Sequence, residues 1–353
     1  MAPRRQEVIA HSIQHALLPK DRQPSSWFGK VPAYFHTYWL DFERVREDLF
    51  TELRERVWGI EREGYLKSFT GEGALVAMAD MGYSGSTFYH TADNRYLIKS
   101  IPRHFEHSFF RDDLLLPYAE HMQLNPSSLL IRITDFLQCS RTSMGSLSGA
   151  APSHHIVMEN ILYGQEEEKR EQDKEDGENG AKWETWDLKP MSYFYPERDV
   201  AGGALASEAT KSKLADEFND KILLTLDQAE DFKLQLAKDT RVLADCNAVD
   251  YSLFLVRFPA KTATESATTP SPQLSWRTGI PSTDGKFVYR AAILDFFWAK
   301  HKVHAQAMTG LINAYNAVDR KGPMSVTTEA PEYRERFLKM CEGIVEVTKV
   351  DGR

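Results

Sequence analysis

MADMGYSGSTFYHTADNRYLIKSI, residues 78–101, decides how this chain is read. Apolar and β-branched residues on both sides of turn-forming clusters describe strand, tight turn, strand, with Ala92, Asp93 and Asn94 at a hairpin tip. In GYSGS, Gly82 and Gly85 permit tight turning, and Ser84 and Ser86 add small hydrogen-bond donors, so the turn can lie over a polyphosphate. It can equally be an ordinary surface hairpin. Lys99 follows in YLIKSI with apolar Leu97, Ile98 and Ile101 beside it. Its ammonium is expected near a core, where it needs an anion; a snorkelling edge-strand lysine is the plainer alternative.

Outward from this stretch, the texture on the N-terminal side is helical. Ile9, Ile13, Ala16 and Leu17 fit an amphipathic helix, and Phe42, Val45, Leu49, Leu53 and Val57 continue at helical spacing after a turn-rich break at 24–32. On the C-terminal side a helix is expected over roughly 105–122. Strand-like runs LLIRITDFLQC (129–139) and HHIVMENIL (154–162) follow, separated by a Ser/Gly-rich loop. GQEEEKREQDKEDGENGAK (164–182) is nearly all charged or small and reads as a solvated linker. Beyond it, Leu214, Phe218, Ile222, Phe232, Leu236 and Leu243 predict a helical region. AVDYSLFLVRF (248–258) and FVYRAAILDFF (287–297) then read as strands on either side of a second low-complexity stretch, PAKTATESATTPSPQ (259–273). A last helix is expected from Pro331, burying Tyr333, Phe337, Met340 and Ile344.

Composition narrows the classes. Of 353 residues, 42% are hydrophobic and 27% charged, which supports a sizeable core. The net charge of −8 argues against nucleic acid as a partner. A local basic patch can still meet an anionic surface, because surface charge is felt over about 8 to 10 Å. No apolar run reaches the roughly eighteen residues of a membrane span, and the N-terminus lacks a secretory apolar core, so a cytoplasmic chain is expected. Cys139, Cys246 and Cys341 are widely spaced and suggest neither disulfides nor zinc. His154 and His155 lack partners at metal-ligand spacing. Trp183, Trp186, Tyr193, Phe194 and Tyr195 read as packing.

Two acids carry the chemical argument further. Asp250 and Asp295 each sit inside an apolar strand-like run, where an isolated carboxylate is costly unless it meets a metal or a cation. Either one alone also fits a strand-end acid capping a turn. Together, after a glycine turn and a strand lysine, they supply what phosphoryl transfer from ATP needs: a cation on the phosphates, a carboxylate for magnesium and a group that orients the attacking hydroxyl. Strands before the acidic linker, and a long helix with two acid-bearing strands after it, suggest a smaller β lobe and a larger α/β lobe with a cleft between them.

These motifs resemble the catalytic domain of the phosphatidylinositol phosphate kinase family, over about residues 81–347. MGYSGSTFY is similar to the family's GKSGS turn, with Tyr83 in place of lysine. LIK is similar to its IIK strand and places Lys99 on ATP. IVMEN resembles the strand entering the hinge, so Met158 and Glu159 would lie beside adenine and Asn160 just beyond. Asp187, Leu188 and Lys189 resemble DLKGS, with Pro190 and Met191 replacing glycine and serine. VDYSLF resembles MDYSLL, which implies a catalytic role for Asp250. ILD resembles IID, which implies magnesium at Asp295.

The resemblance implies an α+β, two-lobed, SAICAR synthase-like fold. Flanking helices would occupy 1–70, an antiparallel β N-lobe 71–163, the linker 164–182 and an α/β C-lobe 183–353, with a flexible loop over 259–285. ATP and Mg2+ are the implied cofactors, and an inositol lipid at a membrane surface the implied partner, reached peripherally. WAKHKVH (298–304) and GPMSVTTEAPEYRERF (322–337) look most like the branch that phosphorylates phosphatidylinositol 3-phosphate at the 5-position, although Val303 stands where an acid is familiar. Lys300, His301 and Lys302 are then headgroup candidates; a solvated basic turn is the alternative. A catalytically silent nucleotide-binding or scaffold member, which Pro190 and Met191 favour, and a kinase of soluble inositol phosphates are the competing functions.

Overall fold

The computed structural model describes residues 2–23, 38–78, 86–140, 151–165, 182–190, 216–260, 274–299, 301 and 328–348. It is a mixed α and β structure whose sheets are mostly antiparallel. Two compact units divide the chain: Met1–His107 with Arg132–Tyr163, and Ser108–Ile131 with Gly164–Arg353. Residues 108–131, expected with the N-lobe, therefore belong with the second unit. Among the described residues no helix is long and apolar enough to cross a membrane.

The first unit is built on a six-stranded sheet. Its strands are β1 (Phe42–Arg44), β2 (Leu75–Ala77), β3 (Phe88–Thr91), β4 (Tyr96–Ser100), β5 (Ile133–Cys139) and β6 (His154–Glu159), in the order β1-β5-β6-β4-β3-β2. All pairs are antiparallel. Helix α1 (Ala2–Leu17) lays Ile9, Ile13 and Leu17 into a core shared with Tyr65, Phe69, Tyr89, Ile98 and Val157. The helix expected to include Phe42 and Val45 begins only at Glu47, as α2 (Glu47–Glu52) running into a π turn, Leu53–Val57. Arg46 takes a left-handed φ of 50° just before it, and Phe42 instead pairs with Cys139 in the sheet. A short α3 (Arg62–Ser68) completes the segment.

A buried ionic cluster fixes that segment to β5. The register slips between Ile133 and Asp135, a bulge that re-aims the chain. Asp135, fully buried, accepts from Arg44 Nε at 2.9 Å, Arg54 Nη1 at 2.9 Å and Tyr65 Oη at 2.5 Å. Arg54 also donates to the Thr134 carbonyl and lies 4.6 Å over the Tyr65 ring. Burial, and then the neighbouring Asp135 charge, push the Tyr65 phenol well above its ordinary value.

Helix α4 (His104–Phe109), which the division between the units crosses after His107, continues through a π turn, Phe110–Leu114, into α5 (Leu115–Leu124) of the second unit. A four-stranded antiparallel sheet has the order β11-β12-β10-β7: β7 is Glu184–Leu188, β10 Ser252–Pro259, β11 Ile280–Pro281 and β12 Phe287–Leu294. The helical reading from Leu214 is corrected here, since Ile222–Leu224 forms strand β8, parallel to the terminal β14 (Val345–Val347). The helix α6 (Leu226–Asp245) starts where Thr225 and Gln228 form a capping box. Leu214 lies outside the described residues. The loop expected over 259–285 is partly regular: Pro259 ends β10, and 280–281 pair with β12. Helix α7 (Ala330–Gly343) has Pro331 in its first turn and buries Tyr333 and Phe337, while Met340 is half-buried.

Candidate functional site

In the first unit, Lys99 sits on β4 between β3 and β6, opposite Phe88 and Ile156. It is 9% exposed, and its Nζ lies 5.6 Å from the Phe88 ring centre, where a cation is attracted to the π face. Residues two apart on a strand share a face, so register puts Lys99, Leu97 and Met158 on one side of the sheet. GYSGS connects β2 to β3; Ser86 is buried, and Gly82, Ser84 and Gly85 lie outside the described residues.

The expected adenine segment is held tightly. Met158 is buried between Leu97 and Ile133. Glu159 donates its N–H to the Arg132 carbonyl at 3.0 Å, and its Oε1 accepts the Arg132 N–H at 2.9 Å. Asn160 donates its side-chain amide to the Asn94 carbonyl at 2.8 Å and accepts from the Leu162 N–H at 3.1 Å. Asn160 thus ties the end of β6 to the β3–β4 turn, where Asn94 has a φ of 57°.

In the second unit the two acids share one feature that the sequence did not reveal. Asp250 has a φ of 66° and Asp295 a φ of 61°, left-handed conformations uncommon outside glycine and found where local structure enforces them. Each breaks an apolar run that reads as a single strand. Asp250 separates β9 (Ala248–Val249) from β10, and Asp295 separates β12 from β13 (Trp298–Ala299). The rung Ser252↔Leu294 closes one side of both breaks and Val249↔Trp298 the other. Both acids are therefore bracketed by the same two rungs.

Lys189 enters this place from the end of β7, where Leu188 pairs with Leu253. Its Nζ is 3.1 Å from Asp250 Oδ2. Behind the break, Tyr333 Oη of α7 donates to the Tyr251 carbonyl at 2.5 Å, and Tyr251 meets Tyr333 and Phe337 edge-on at 4.8 and 4.9 Å. That aromatic packing holds the turn from which Asp250 projects.

Of the headgroup candidates, Lys300 and Lys302 lie outside the described residues. His301 is placed with its Nε2 3.6 Å from Asp113 Oδ2 and its ring edge-on to Phe109. Sequence reading did not single out Asp113. It also missed Asp239, whose signal was available: an acid on the same helical face as Phe232, Leu236 and Leu243.

Among the described residues no group of three or more His, Cys, Asp or Glu side chains gathers as a metal cage. Magnesium does not require one; it is commonly bound by one or two carboxylates with substrate phosphates and water completing the shell. A single carboxylate such as Asp295 is compatible with that pattern.

The family model described as Phosphatidylinositol-4-phosphate 5-Kinase matches residues 69–280, more than half of the chain. The match includes Lys99, Met158, Lys189 and Asp250, and ends before Asp295. Similar proteins include phosphatidylinositol 4-phosphate 5-kinase its3 of Schizosaccharomyces pombe, 34% identical over 35% of this chain and 16% of that protein. A "probable phosphatidylinositol phosphate kinase" of Dictyostelium discoideum is 25% identical over 65% of this chain and 29% of its own length. The mouse phosphatidylinositol 4-phosphate 5-kinase type-1 beta is 31% identical over 39% and 24%. The matches thus span less than a third of each of these relatives. With that model matching more than half of its length, the chain belongs to the phosphatidylinositol phosphate kinase family.

Proposed function

We propose that this chain is an ATP- and magnesium-dependent kinase that phosphorylates a hydroxyl of a phosphoinositide headgroup. The observation that carries this reading is the pair of left-handed acids, Asp250 and Asp295, bracketed by the same two rungs with Lys189 3.1 Å from Asp250. Aspartate tolerates left-handed backbone at turns, and here two such turns break neighbouring strands between the same two rungs, which aims both carboxylates from one part of the sheet. Magnesium, when bound, neutralises charge that develops on the transferred phosphoryl group.

The residues divide the work. Lys99 neutralises phosphate charge, and Met158 presents an apolar surface to the base on the same sheet face. Glu159 and Asn160 hold the strand end that supports it. Asp295 holds the metal. Asp250 orients the inositol hydroxyl and accepts its proton, and Lys189, 3.1 Å away, keeps that carboxylate aimed. Gly82, Ser84, Gly85 and Ser86 cover the phosphates. Lys300, His301 and Lys302 meet the headgroup, so that an acidic chain touches an anionic membrane peripherally, from the cytoplasmic side, through a restricted basic segment.

The testing experiment offers the purified chain labelled ATP and Mg2+ with a panel of phosphoinositide vesicles and soluble inositol phosphates. Label in a phosphoinositide is expected, and the product identifies the headgroup, the 3-phosphate branch included. Label confined to soluble inositol phosphates would move the substrate off the membrane. ATP binding without transfer to any acceptor would make the chain a silent member.

A further inference from the structure

Asp239 lies in the middle of α6 and is fully buried. A carboxylate in such a place is costly unless its oxygens are met by donors. Three donors meet it: His121 Nε2 at 2.6 Å, Ser128 Oγ at 2.7 Å and the Leu129 backbone N–H at 2.6 Å. Ser128 Oγ accepts the Leu130 N–H in turn at 3.1 Å. From the other side, Arg277 Nη2 donates to the carbonyls of Ser128, at 2.6 Å, and Leu130. The backbone of 128–130 is gripped between an acid and a guanidinium.

That backbone is the second edge partner of β12, whose first edge is taken by β10. The Ile293 N–H donates to the Leu129 carbonyl at 2.7 Å, and the Ile131 N–H donates to the Ile293 carbonyl at 3.1 Å. One step earlier the Ala291 N–H donates to Trp276, whose ring packs 4.3 Å from Phe232 on α6. Both edges of β12 are thus fixed up to two residues before Asp295, where the backbone turns left-handed. An apolar side chain could fill the space of Asp239, and would spare the cost of burying a charge. Only a group with two acceptor oxygens holds three donors at set angles.

We propose that Asp239 is a positioning residue for the Asp295 carboxylate, acting through the 128–131 segment and β12 rather than by touching the reactants. The proposal rests on the kinase reading, in which Asp295 holds the metal. Asp239→Asn keeps the shape but turns one acceptor into a donor: an amide nitrogen toward Leu129 opposes its backbone N–H, and one toward His121 and Ser128 opposes two groups that donate to Asp239, so the hold on 128–130 weakens either way. Buried groups that orient metal ligands typically cost about tenfold in metal affinity when changed.

The test is calorimetric titration of ATP into the full chain, once with Mg2+ and once with EDTA. The ratio of the two affinities reports metal held between protein and nucleotide, and it does not depend on the fraction of folded protein. In Asp239→Asn the affinity in EDTA should match the wild type while the Mg2+-dependent gain falls by about tenfold; Ser128→Ala should show a smaller fall of the same kind. A purely structural role would lower the melting temperature and leave the ratio intact. A folded Asp239→Asn with the wild-type ratio overturns the proposal. If that variant does not fold, a wild-type ratio in Ser128→Ala, with faster hydrogen exchange at the Ile293 amide, overturns it instead. Asp295→Asn separates the two levels: if it keeps the gain, the metal assignment fails and takes the positioning role with it. If it loses the gain and Asp239→Asn does not, only the positioning role falls.

Discussion

Lys189 Nζ stands 3.1 Å from Asp250 Oδ2, and the two side chains are 10% and 14% exposed. At that burial the attraction is screened far less than between surface charges. Strand pairing explains the meeting: Leu188↔Leu253 brings the end of β7 beside the start of β10, and the left-handed turn at Asp250 sends its carboxylate back toward Lys189.

The first prediction follows from that pair. Asp250→Asn should lower turnover by about a hundredfold or more, as expected for a group used in the transition state. Lys189→Met should also lower turnover, by removing the cation 3.1 Å from the acid. In a double-mutant cycle on unfolding free energy, the two changes should couple by roughly 0.5 to 3 kcal/mol, the range for residues in direct contact. Simple additivity would show that the pair does not form in solution.

Lys99 tests the other unit. Lys99→Met keeps an unbranched apolar stem beside Phe88 and Ile156 and removes only the ammonium, and denaturant unfolding would check that the variant stays folded. Turnover should fall by about a hundredfold or more, with weakened ATP binding. Retained turnover in a folded Lys99→Met would remove Lys99 from the phosphates.

The Asp135 cluster should matter for folding and not for chemistry. Asp135→Asn leaves Arg44 and Arg54 without their shared anion in a buried place, and losing one partner of such a cluster costs about 3 to 5 kcal/mol. Denaturant unfolding would measure the loss. Molecules that remain folded should keep wild-type affinity for ATP; a stability change below about 1 kcal/mol would mean that water already reaches the cluster.

Much of this architecture was legible in the sequence, and the reasons it was not fully so are physical. The 78–101 stretch gave β3, the turn at Asn94 and β4 with its lysine, because alternation and turn chemistry are local signals. Asp250 and Asp295 stood out as acids inside apolar runs. The same signal marks Asp135 in ITDFLQC and Asp239 among Phe232, Leu236 and Leu243, and there the partners are arginines, a histidine and backbone donors. Partners distant in sequence decide what a buried acid does, and periodicity does not contain them. Left-handed backbone at two aspartates is equally silent in a run of apolar letters. Phe42 and Ile222 joined strands because β5 and β14 offered pairing edges, overriding a helical spacing.

His155 supplies the last prediction. It lies on β6 between Ser100 and Leu137, fully buried and edge-on to Phe42 at 5.1 Å, with neither ring nitrogen hydrogen-bonded. Burial pushes its pKa from the ordinary 6.5 down to about 3. The folded state therefore keeps the ring neutral across a window in which the unfolded chain takes up a proton. Its contribution to stability is fully present above about pH 6.5, and is lost progressively as the pH falls toward 3, at up to about 1.4 kcal/mol per pH unit. His155→Leu removes the titration and two unsatisfied polar atoms while keeping an apolar contact for Phe42. Urea unfolding at a series of pH values should show the variant at least as stable as wild type at pH 7. Its advantage should grow by roughly 2 kcal/mol on going from pH 6.5 to 4.5. Carboxylates titrate in both proteins alike, so the difference between the two curves isolates the histidine. Parallel curves would show that water or a hydrogen bond reaches the ring and that the strand interior is open at β6.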